Sequence, residues 1–167
     1  MRNLSDNFTC NQPNLSIGRF HVTPENRVGG MLIVDGKKMI RECLAEVMSY
    51  VGVPTLTAAD GNTGMALFQE HVASIDLVFL DYLVPDMNGE QFFHELRKIN
   101  PNVKVILSFC YIQSSLAHWF QSESHIELLP KPFDLRTFLD KVGTVFAISL
   151  DRLFHADLSP SFIEIKN

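Results

Sequence analysis

The sequence predicts an α/β fold in which five parallel strands form one doubly wound sheet with helices on both faces. Short apolar runs alternate five times along the chain with stretches whose apolar residues recur at three- and four-residue steps. These runs lack polar alternation, which is typical of strands that are covered on both faces. Crossovers of helical length, expected to be right-handed, would keep the strands parallel.

The first half of the chain contains two strands and two helices, expected at residues 31–34, 38–51, 54–58 and 63–73. Apolar residues of the first helix form a single stripe, and Gly52 stops this helix. Pro54 favours an edge position for the second strand, because proline cannot donate to a sheet ladder. Asp60-Gly61-Asn62 is a turn that leads to the second helix.

The second half contains three strands and three helices, expected at residues 76–80, 90–99, 103–107, 112–120, 126–129 and 135–146. Pro85 and Gly89 mark a loop between the third strand and the third helix. Asn100-Pro101 ends that helix, since the residue before a proline disfavours helical geometry. Asp134 is a good N-cap for the last helix, whose apolar residues again form one stripe.

Composition and charge argue against several classes of protein. The 167 residues are 46% hydrophobic and 20% charged, as in a soluble globular domain with tails. The net charge of -5 comes without a basic stripe, so we expect no direct nucleic-acid binding. No apolar run is long enough to span a bilayer and residues 1–30 lack a signal-peptide core, so we expect no membrane contact and a cytoplasmic location. Cys10, Cys43 and Cys110 are isolated, which argues against a zinc site or a disulfide framework.

A notable polar residue stands at the end of four of the expected strands: Asp35, Asp81, Ser108 and Lys131. Because ligands bind outside the carboxyl ends of parallel strands, two carboxylates, a hydroxyl and an ammonium would share one cleft. Each residue alone has an ordinary explanation as a helix cap, a turn former or a solvated loop charge. Together they suit phosphoryl transfer onto a carboxylate, with Asp81 as the nucleophile. Carboxylate-bound Mg²⁺ and a lysine point charge would offset the repulsion of the phosphoryl group.

Six segments match the pattern of a known family: Leu32-Ile-Val-Asp35, Ala59-Asp-Gly61 with Ala66-Leu67, Asp76-Leu-Val-Phe-Leu-Asp81, Val84-Pro85-Asp-Met-Asn-Gly89, Val105-Ile-Leu-Ser108 and Lys131-Pro-Phe133. On these segments the chain, from about Gly30 to Phe146, resembles the receiver domain of two-component response regulators. The last motif and the Asp-to-Gly loop are together quite specific. The resemblance implies a flavodoxin-like fold with strand order 2-1-3-4-5.

The resemblance also implies roles for individual residues. Asp81 would be the phospho-acceptor, and Ser108 would stand at the position of the switch hydroxyl. Lys131 would contact the phosphate, and its bond to Pro132 would be cis. Asp35, Asp81 and the main-chain carbonyl of Leu83 would be the ligands of Mg²⁺.

The chain would then divide into three parts. Residues 1–29 would be a mobile N-terminal arm, residues 30–147 the receiver domain, and residues 148–167 a C-terminal extension too short for an output domain. Within the extension, residues 162–165 alternate weakly and could form a peptide-like tail. We expect a signalling module rather than an enzyme, and a monomer or weak dimer. Its phosphoryl donor would be a histidine kinase or a histidine phosphotransfer protein, and its fourth-helix and fifth-strand face would contact a downstream protein target.

Three departures from the family pattern bear on the site. Gly36 stands where receivers usually carry a second acid that contacts Mg²⁺, so metal affinity should fall. Leu128 stands where many receivers have an aromatic switch residue, and leucine offers neither ring nor hydroxyl. Phe109 follows Ser108 where the family usually has a small residue, and its ring could partly cover the cleft.

Two other functions stay open. Gly36 and Leu128 favour a receiver-like interaction module with lost or weakened Mg²⁺-dependent phosphorylation. A phosphatase with an aspartyl nucleophile usually has a second Asp two residues after the first, and here that position is Leu83, which leaves no evident general acid. A nucleotide-binding sheet is not favoured, because no G-x-G-x-x-G follows the first strand.

Overall fold

Five strands and five helices alternate along the chain in this computed structural model, which describes residues 29–111, 114–146 and 164–165. The strands are β1 (Gly30–Val34), β2 (Thr55–Ala58), β3 (Ile75–Asp81), β4 (Lys104–Phe109) and β5 (Ile126–Pro130). The helices are α1 (Lys38–Tyr50), α2 (Gly61–Glu70), α3 (Gly89–Ile99), α4 (Ser114–Ser122) and α5 (Leu135–Phe146). The predicted α/β alternation is confirmed.

The five strands form one parallel sheet in the order β2-β1-β3-β4-β5. This is the flavodoxin-like order 2-1-3-4-5 that the resemblance implied, so the prediction is confirmed. β2 lies at an edge of the sheet, as its flanking proline indicated, and β3 lies at the centre. The carboxyl ends of β1, β3 and β4 are therefore neighbours along one edge.

Two apolar layers cover the sheet, one on each face. Met31 and Ile33 of β1 pack into a cluster with α1 and α5, whereas Leu32 and Val34 pack into a second cluster with α2, α3 and Phe120 of α4. These four strand residues have no exposed surface. Burial on both faces explains why the run lacks polar alternation.

Aspartate side chains cap the N-termini of two helices. Asp60 accepts a hydrogen bond from the Thr63 main-chain N–H at 2.7 Å, so α2 begins at Gly61 rather than at residue 63, and it ends at Glu70 rather than at 73. Asp134 accepts one from the Thr137 N–H at 2.7 Å, which confirms the predicted N-cap of α5.

Two short antiparallel pairs lie outside the main sheet. Leu83–Val84 pairs with Met87–Asn88 in the loop after β3, and Phe133–Asp134 pairs with Glu164–Ile165. The expected arm lies outside the described residues except for Gly29, and so does the expected extension except for Glu164–Ile165. None of the helices in the described segments is long and apolar enough to cross a membrane.

Candidate functional site

Four polar side chains converge at the carboxyl edge of the sheet. Asp35 follows β1, Asp81 ends β3, and Ser108 lies opposite Asp81 in the β3–β4 register, while Lys131 follows β5. Within the described segments these are the buried polar or charged residues: as whole residues, Asp35 and Ser108 are 0% exposed, Asp81 7% and Lys131 8%. Since burying a polar group is costly, their concentration at one edge marks this pocket as a candidate site.

Lys131 holds the two carboxylates together. Its Nζ lies 3.1 Å from Asp35 Oδ2 and 2.9 Å from Asp81 Oδ2, and the lysine side chain is 1% exposed. The Lys131 main-chain N–H donates to the Phe109 carbonyl at 2.6 Å, which ties the residue to the end of β4. The Lys131–Pro132 peptide bond is cis, as the resemblance implied. The sequence therefore folds an ammonium and two carboxylates into one ion-paired cluster.

The cluster of two carboxylates and one ammonium has a net charge of -1 when all three groups are ionised. This imbalance shifts the pKa values of Asp81 and Lys131. Burial raises the pKa of Asp81, the charge of Asp35 raises it further, and the attraction of Lys131 opposes both effects. Burial by itself would lower the pKa of Lys131, but the two carboxylates outweigh it, so the pKa of this ammonium is raised. Lys131 is therefore a permanent cation at neutral pH.

Ser108 presents a hydroxyl that no group in the described residues satisfies. Its Oγ is buried without a hydrogen-bond partner, whereas its main-chain carbonyl accepts from the Tyr82 N–H at 2.7 Å. An unsatisfied buried hydroxyl costs free energy, so such groups in folded proteins usually serve a ligand or a strained state. Beside Asp81, this hydroxyl can donate to an oxygen atom of a bound anion.

Asp35 is held in place from two directions. The Lys37 main-chain N–H donates to Asp35 Oδ1 at 2.8 Å, and Arg41 Nη1 donates to the Asp35 carbonyl at 2.7 Å. Arg41 was not among the predicted site residues. A charged residue about one turn into α1 was a weak signal, because it equally suits a solvated helix face.

The loop after Asp81 is fastened to the neighbouring helices. Asn88 caps α3 through a reciprocal capping box with Gln91, and the Asn-x-x-Gln spacing was a readable signal that the sequence analysis missed. Asp86, at a φ of 62°, accepts from the Gly61 N–H at 2.9 Å and so joins the loop to α2. The Leu83 main-chain N–H lies 3.4 Å from Asp81 Oδ1, and the Leu83 side chain is 67% exposed.

The carboxylates of Asp35 and Asp81 fit a minimal Mg²⁺ site. Mg²⁺ commonly takes one or two protein carboxylates and keeps several waters, so Asp35 and Asp81 would be the residues to hold it. The described residues contain no group of three or more His, Cys, Asp or Glu side chains that could hold a metal. A Cβ added at Gly36 would lie 3.2 Å from Pro85 Cδ, so the direction that a second acid would take is partly filled. The carbonyl of Leu83 stays a predicted ligand.

The other two departures also have a place in the structure. Leu128 is partly buried and packs against the apolar cluster on the α3 side of the sheet. Phe109 is partly buried at the end of β4, where its carbonyl accepts from Lys131. Whether the Phe109 ring restricts the cleft stays a prediction.

The chain is similar to known proteins over roughly two thirds of its length. The family model of the response regulator receiver domain matches residues 31–143. Sporulation initiation phosphotransferase F of Bacillus subtilis (strain 168) is 30% identical over 112 residues, which are 67% of this chain and 89% of that protein. The sensor kinase CckA of Brucella abortus (strain 2308) is 27% identical over 106 residues, which are 64% of this chain and 11% of that protein.

Solved structures agree on the fold. A receiver domain protein from Clostridium thermocellum, 24% identical, has a TM-score of 0.66 and covers 76% of this chain and 99% of its own. The CheX–CheY–BeF3–Mg complex from Borrelia burgdorferi, 26% identical, has a TM-score of 0.65 and covers 71% and 89%. The chain spans between 11% and 45% of the length of three curated relatives that it matches. By its sequence match over residues 31–143, this chain belongs to the response regulator receiver domain family.

Proposed function

We propose that this chain accepts a phosphoryl group on Asp81 from a phosphohistidine of a histidine kinase or phosphotransfer protein, and passes the signal to a downstream protein target. The observation that carries the proposal is the position of Lys131 Nζ, which lies within 3.1 Å of both Asp35 and Asp81. The unsatisfied hydroxyl of Ser108 beside them supports it.

In the proposed reaction, an oxygen of the ionised Asp81 carboxylate attacks the phosphorus atom. The phosphorus–nitrogen bond of the donor breaks, its electron pair stays on the imidazole, and an aspartyl phosphate forms. Lys131 keeps its proton throughout and stabilises the charge that develops on the phosphoryl oxygens. The Ser108 hydroxyl donates a hydrogen bond to one of those oxygens. When Mg²⁺ is bound, it supplies further positive charge to the same oxygens.

Two features fix the orientation of the reacting groups. Asp35 is held by the Lys37 N–H and by Arg41, so its charge stays beside Lys131. The loop from Tyr82 to Gly89 is closed by a hydrogen bond of 2.8 Å from the Gly89 N–H to the Tyr82 carbonyl. Preorganised groups of this kind lower the barrier because they need no rearrangement during the reaction.

The direct test is phosphorylation of the full chain by acetyl phosphate with MgCl₂, read by intact-protein mass spectrometry. We expect a gain of one phosphoryl group, which Asp81→Asn abolishes. Asp76→Asn is the matched control, because Asp76 lies at the opposite end of β3 and is exposed, and this variant should be labelled like the natural chain. Equal labelling of Asp81→Asn would rule out Asp81 as the acceptor.

The rival function, a receiver-like interaction module with lost or weakened Mg²⁺-dependent phosphorylation, is favoured by Gly36 and Leu128. Gly36 offers no side-chain ligand to Mg²⁺, and Leu128 has neither the ring nor the hydroxyl of an aromatic switch residue. An unlabelled natural chain at high Mg²⁺ concentration would support this rival. The output face in either case would be the surface of α4 and β5.

The Mg²⁺ site can be tested apart from the reaction. Gly36→Asp should tighten Mg²⁺ binding about tenfold, measured by calorimetry, because carboxylate charge raises the affinity of oxygen sites. Gly36→Asn meets Pro85 in the same way without adding charge, so it should not tighten binding. If both variants bind Mg²⁺ like the natural chain, Gly36 does not face the metal.

A further inference from the structure

A strand from the end of the chain pairs with the loop that follows Lys131. Phe133 pairs with Ile165 and Asp134 with Glu164, in antiparallel orientation. The match to the family model ends at residue 143, so Glu164–Ile165 lies outside the part that the family shares. The pairing therefore joins the matched part of the chain to residues beyond the family match.

The paired loop is short and is anchored at both sides. On one side Lys131 is bonded to the Phe109 carbonyl and to the two carboxylates of the site. On the other side the Phe133 side chain is 4% exposed, and its ring centroid lies 6.1 Å from that of Phe79 and 6.4 Å from that of Phe138. Only Pro132 separates Lys131 from the first paired residue, Phe133, so a movement of the Lys131 main chain would reach the pairing directly.

The connecting segment has ample length to let the strand dock and leave. Helix α5 carries the chain about 18 Å away from Asp134, given its 12 residues and the helical rise. Residues 147–163 then connect α5 to the strand, and fully extended they would span about three times that distance. Neither docking nor release of Glu164–Ile165 therefore requires any change in α5.

We propose that the strand Glu164–Ile165 is docked while Asp81 is unmodified and is displaced when a phosphoryl group occupies the site. This inference rests on the proposed function of Asp81. In the unmodified site, Lys131 divides its ammonium between Asp35 and Asp81. A phosphoryl group on Asp81 offers it a more strongly charged partner, so Lys131 turns away from Asp35 and shifts the main chain of residues 131–134.

A pairing of two residues cannot adapt to such a shift by changing register. A longer strand, such as any of β1 to β5, could lose one pair and keep the others. A strand of two residues has no such reserve. Leu128 offers no aromatic ring to carry the signal through β5, whereas the paired loop begins two residues after Lys131. The C-terminal strand is thus the element placed to respond first.

Displacement of the strand by a phosphoryl group implies the reverse effect of the strand on phosphoryl binding. If the phosphoryl group weakens strand pairing by some factor, then loss of pairing strengthens binding of a phosphoryl mimic by the same factor. Couplings of this kind are commonly at least about fivefold. The affinity of the site for a mimic therefore measures the coupling without any downstream partner.

The experiment uses the full chain and beryllofluoride with Mg²⁺ as the phosphoryl mimic. The variant Glu164→Pro/Ile165→Pro removes both main-chain N–H groups that could donate to Phe133 and Asp134. Asn167→Pro introduces the same residue beyond the pairing and serves as the control. Amide hydrogen exchange is followed in peptides that cover residues 131–137 and 160–167, and beryllofluoride affinity is measured by titration.

We expect beryllofluoride to raise exchange in both peptides of the natural chain to the level of the double proline variant. We also expect the double variant to bind beryllofluoride about fivefold more tightly, and Asn167→Pro to behave like the natural chain. Uptake of beryllofluoride with unchanged exchange and equal affinities would overturn the displacement proposal alone. Failure of all three proteins to bind beryllofluoride would overturn the proposed function and the displacement with it.

Discussion

At the scale of single residues, the charge balance of the site depends on Lys131. One ammonium, with a side chain 1% exposed, faces two carboxylates whose side chains are 0% and 11% exposed. Breaking a buried ion pair from one side is much more costly than losing an exposed one, because the remaining charge stays desolvated. The residue that we expect to contact the phosphoryl group is therefore also one on which the fold depends.

Replacing Lys131 with methionine should destabilise the protein by about 3–5 kcal/mol at pH 7, measured by urea unfolding. The loss should shrink at lower pH, since protonation of one carboxylate relieves the repulsion between Asp35 and Asp81. Lys141→Met is the control, because Lys141 forms a more exposed pair with Glu127 at 2.8 Å, and it should cost less than about 1 kcal/mol. Equal costs for the two variants would contradict a buried charge cluster.

Asp81 makes the opposite contribution to stability. Burial raises the pKa of Asp81 above its ordinary value of 3.8, so the folded state binds this proton more tightly than the unfolded state. Stability is therefore lost as the pH rises from 3.8 through the raised pKa of the folded state. Asp81→Asn should raise the free energy of unfolding at pH 7 by about 1 kcal/mol and change it little below pH 3.8.

Asp60 provides a control, because its pKa is shifted in the opposite direction and its effect on stability should therefore have the opposite dependence on pH. The hydrogen bond from the Thr63 N–H lowers the pKa of Asp60, so its contribution is present above 3.8 and is lost as the pH falls through the lowered pKa. Asp60→Asn should therefore reduce stability at neutral pH and show a smaller effect in acid. Thermal unfolding of both variants between pH 3 and pH 8 separates the two signs.

At the scale of elements, the loop between β3 and α3 depends on a close approach. A Cβ at Gly89 would lie 2.9 Å from the Cα and 2.8 Å from the Cδ2 of Tyr82, the residue after the proposed acceptor. Contact with a main-chain atom cannot be relieved by a change of rotamer. The capping box of Asn88 and Gln91 then starts α3 at once, so loop and helix form one unit.

Gly89→Ala should cost about 1–3 kcal/mol, despite the better helix propensity of alanine, because the loop must move to accept the methyl group. The displaced loop should also slow labelling of Asp81 by acetyl phosphate. Glu90→Ala, the next position in α3, should change stability by less than about 1 kcal/mol and leave labelling unchanged. If Gly89→Ala is as stable as the natural chain, the close approach to Tyr82 is not required.

The N-termini of α5 and α2 show which helix boundaries can be predicted from the local sequence. The N-cap at Asp134 followed from residue type and position alone, and the structure confirms it. The start of α2 was expected two residues too late, because Asp60 was interpreted as part of a turn rather than as the cap of Thr63. Both N-caps depend on contacts between residues three apart, so both are determined by the local sequence.

At the scale of the whole molecule, the central sheet separates two apolar layers. Phe138 of α5 belongs to the layer shared with α1, whereas Phe92 of α3 belongs to the layer on the opposite face, and neither has exposed surface. Both layers include residues of β1 and β3, so the strands join them into one cooperative unit. Loss of packing in either layer should therefore weaken the same unfolding transition.

Phe138→Leu and Phe92→Leu should each cost about 1–3 kcal/mol, because a smaller side chain leaves space in a close-packed layer. The two costs should add within about 0.5 kcal/mol in the double variant, since the side chains belong to separate clusters. Urea unfolding of the single and double variants tests this. Two separate transitions, or a large departure from additivity, would contradict a single cooperative core.

The sequence by itself determined the alternation of elements, the edge position of β2 and the polar residues that end the strands, because these follow from local periodicity and from residue type. The family pattern added the strand order and the expected roles of Asp81 as phospho-acceptor and Lys131 as phosphate contact. Only the tertiary structure decided that Lys131 reaches Asp35 across a separation of 96 residues, that Pro85 faces Gly36 and that Ile165 pairs with Phe133. Such contacts depend on how distant segments pack against each other, and that packing leaves no periodic signal in the sequence.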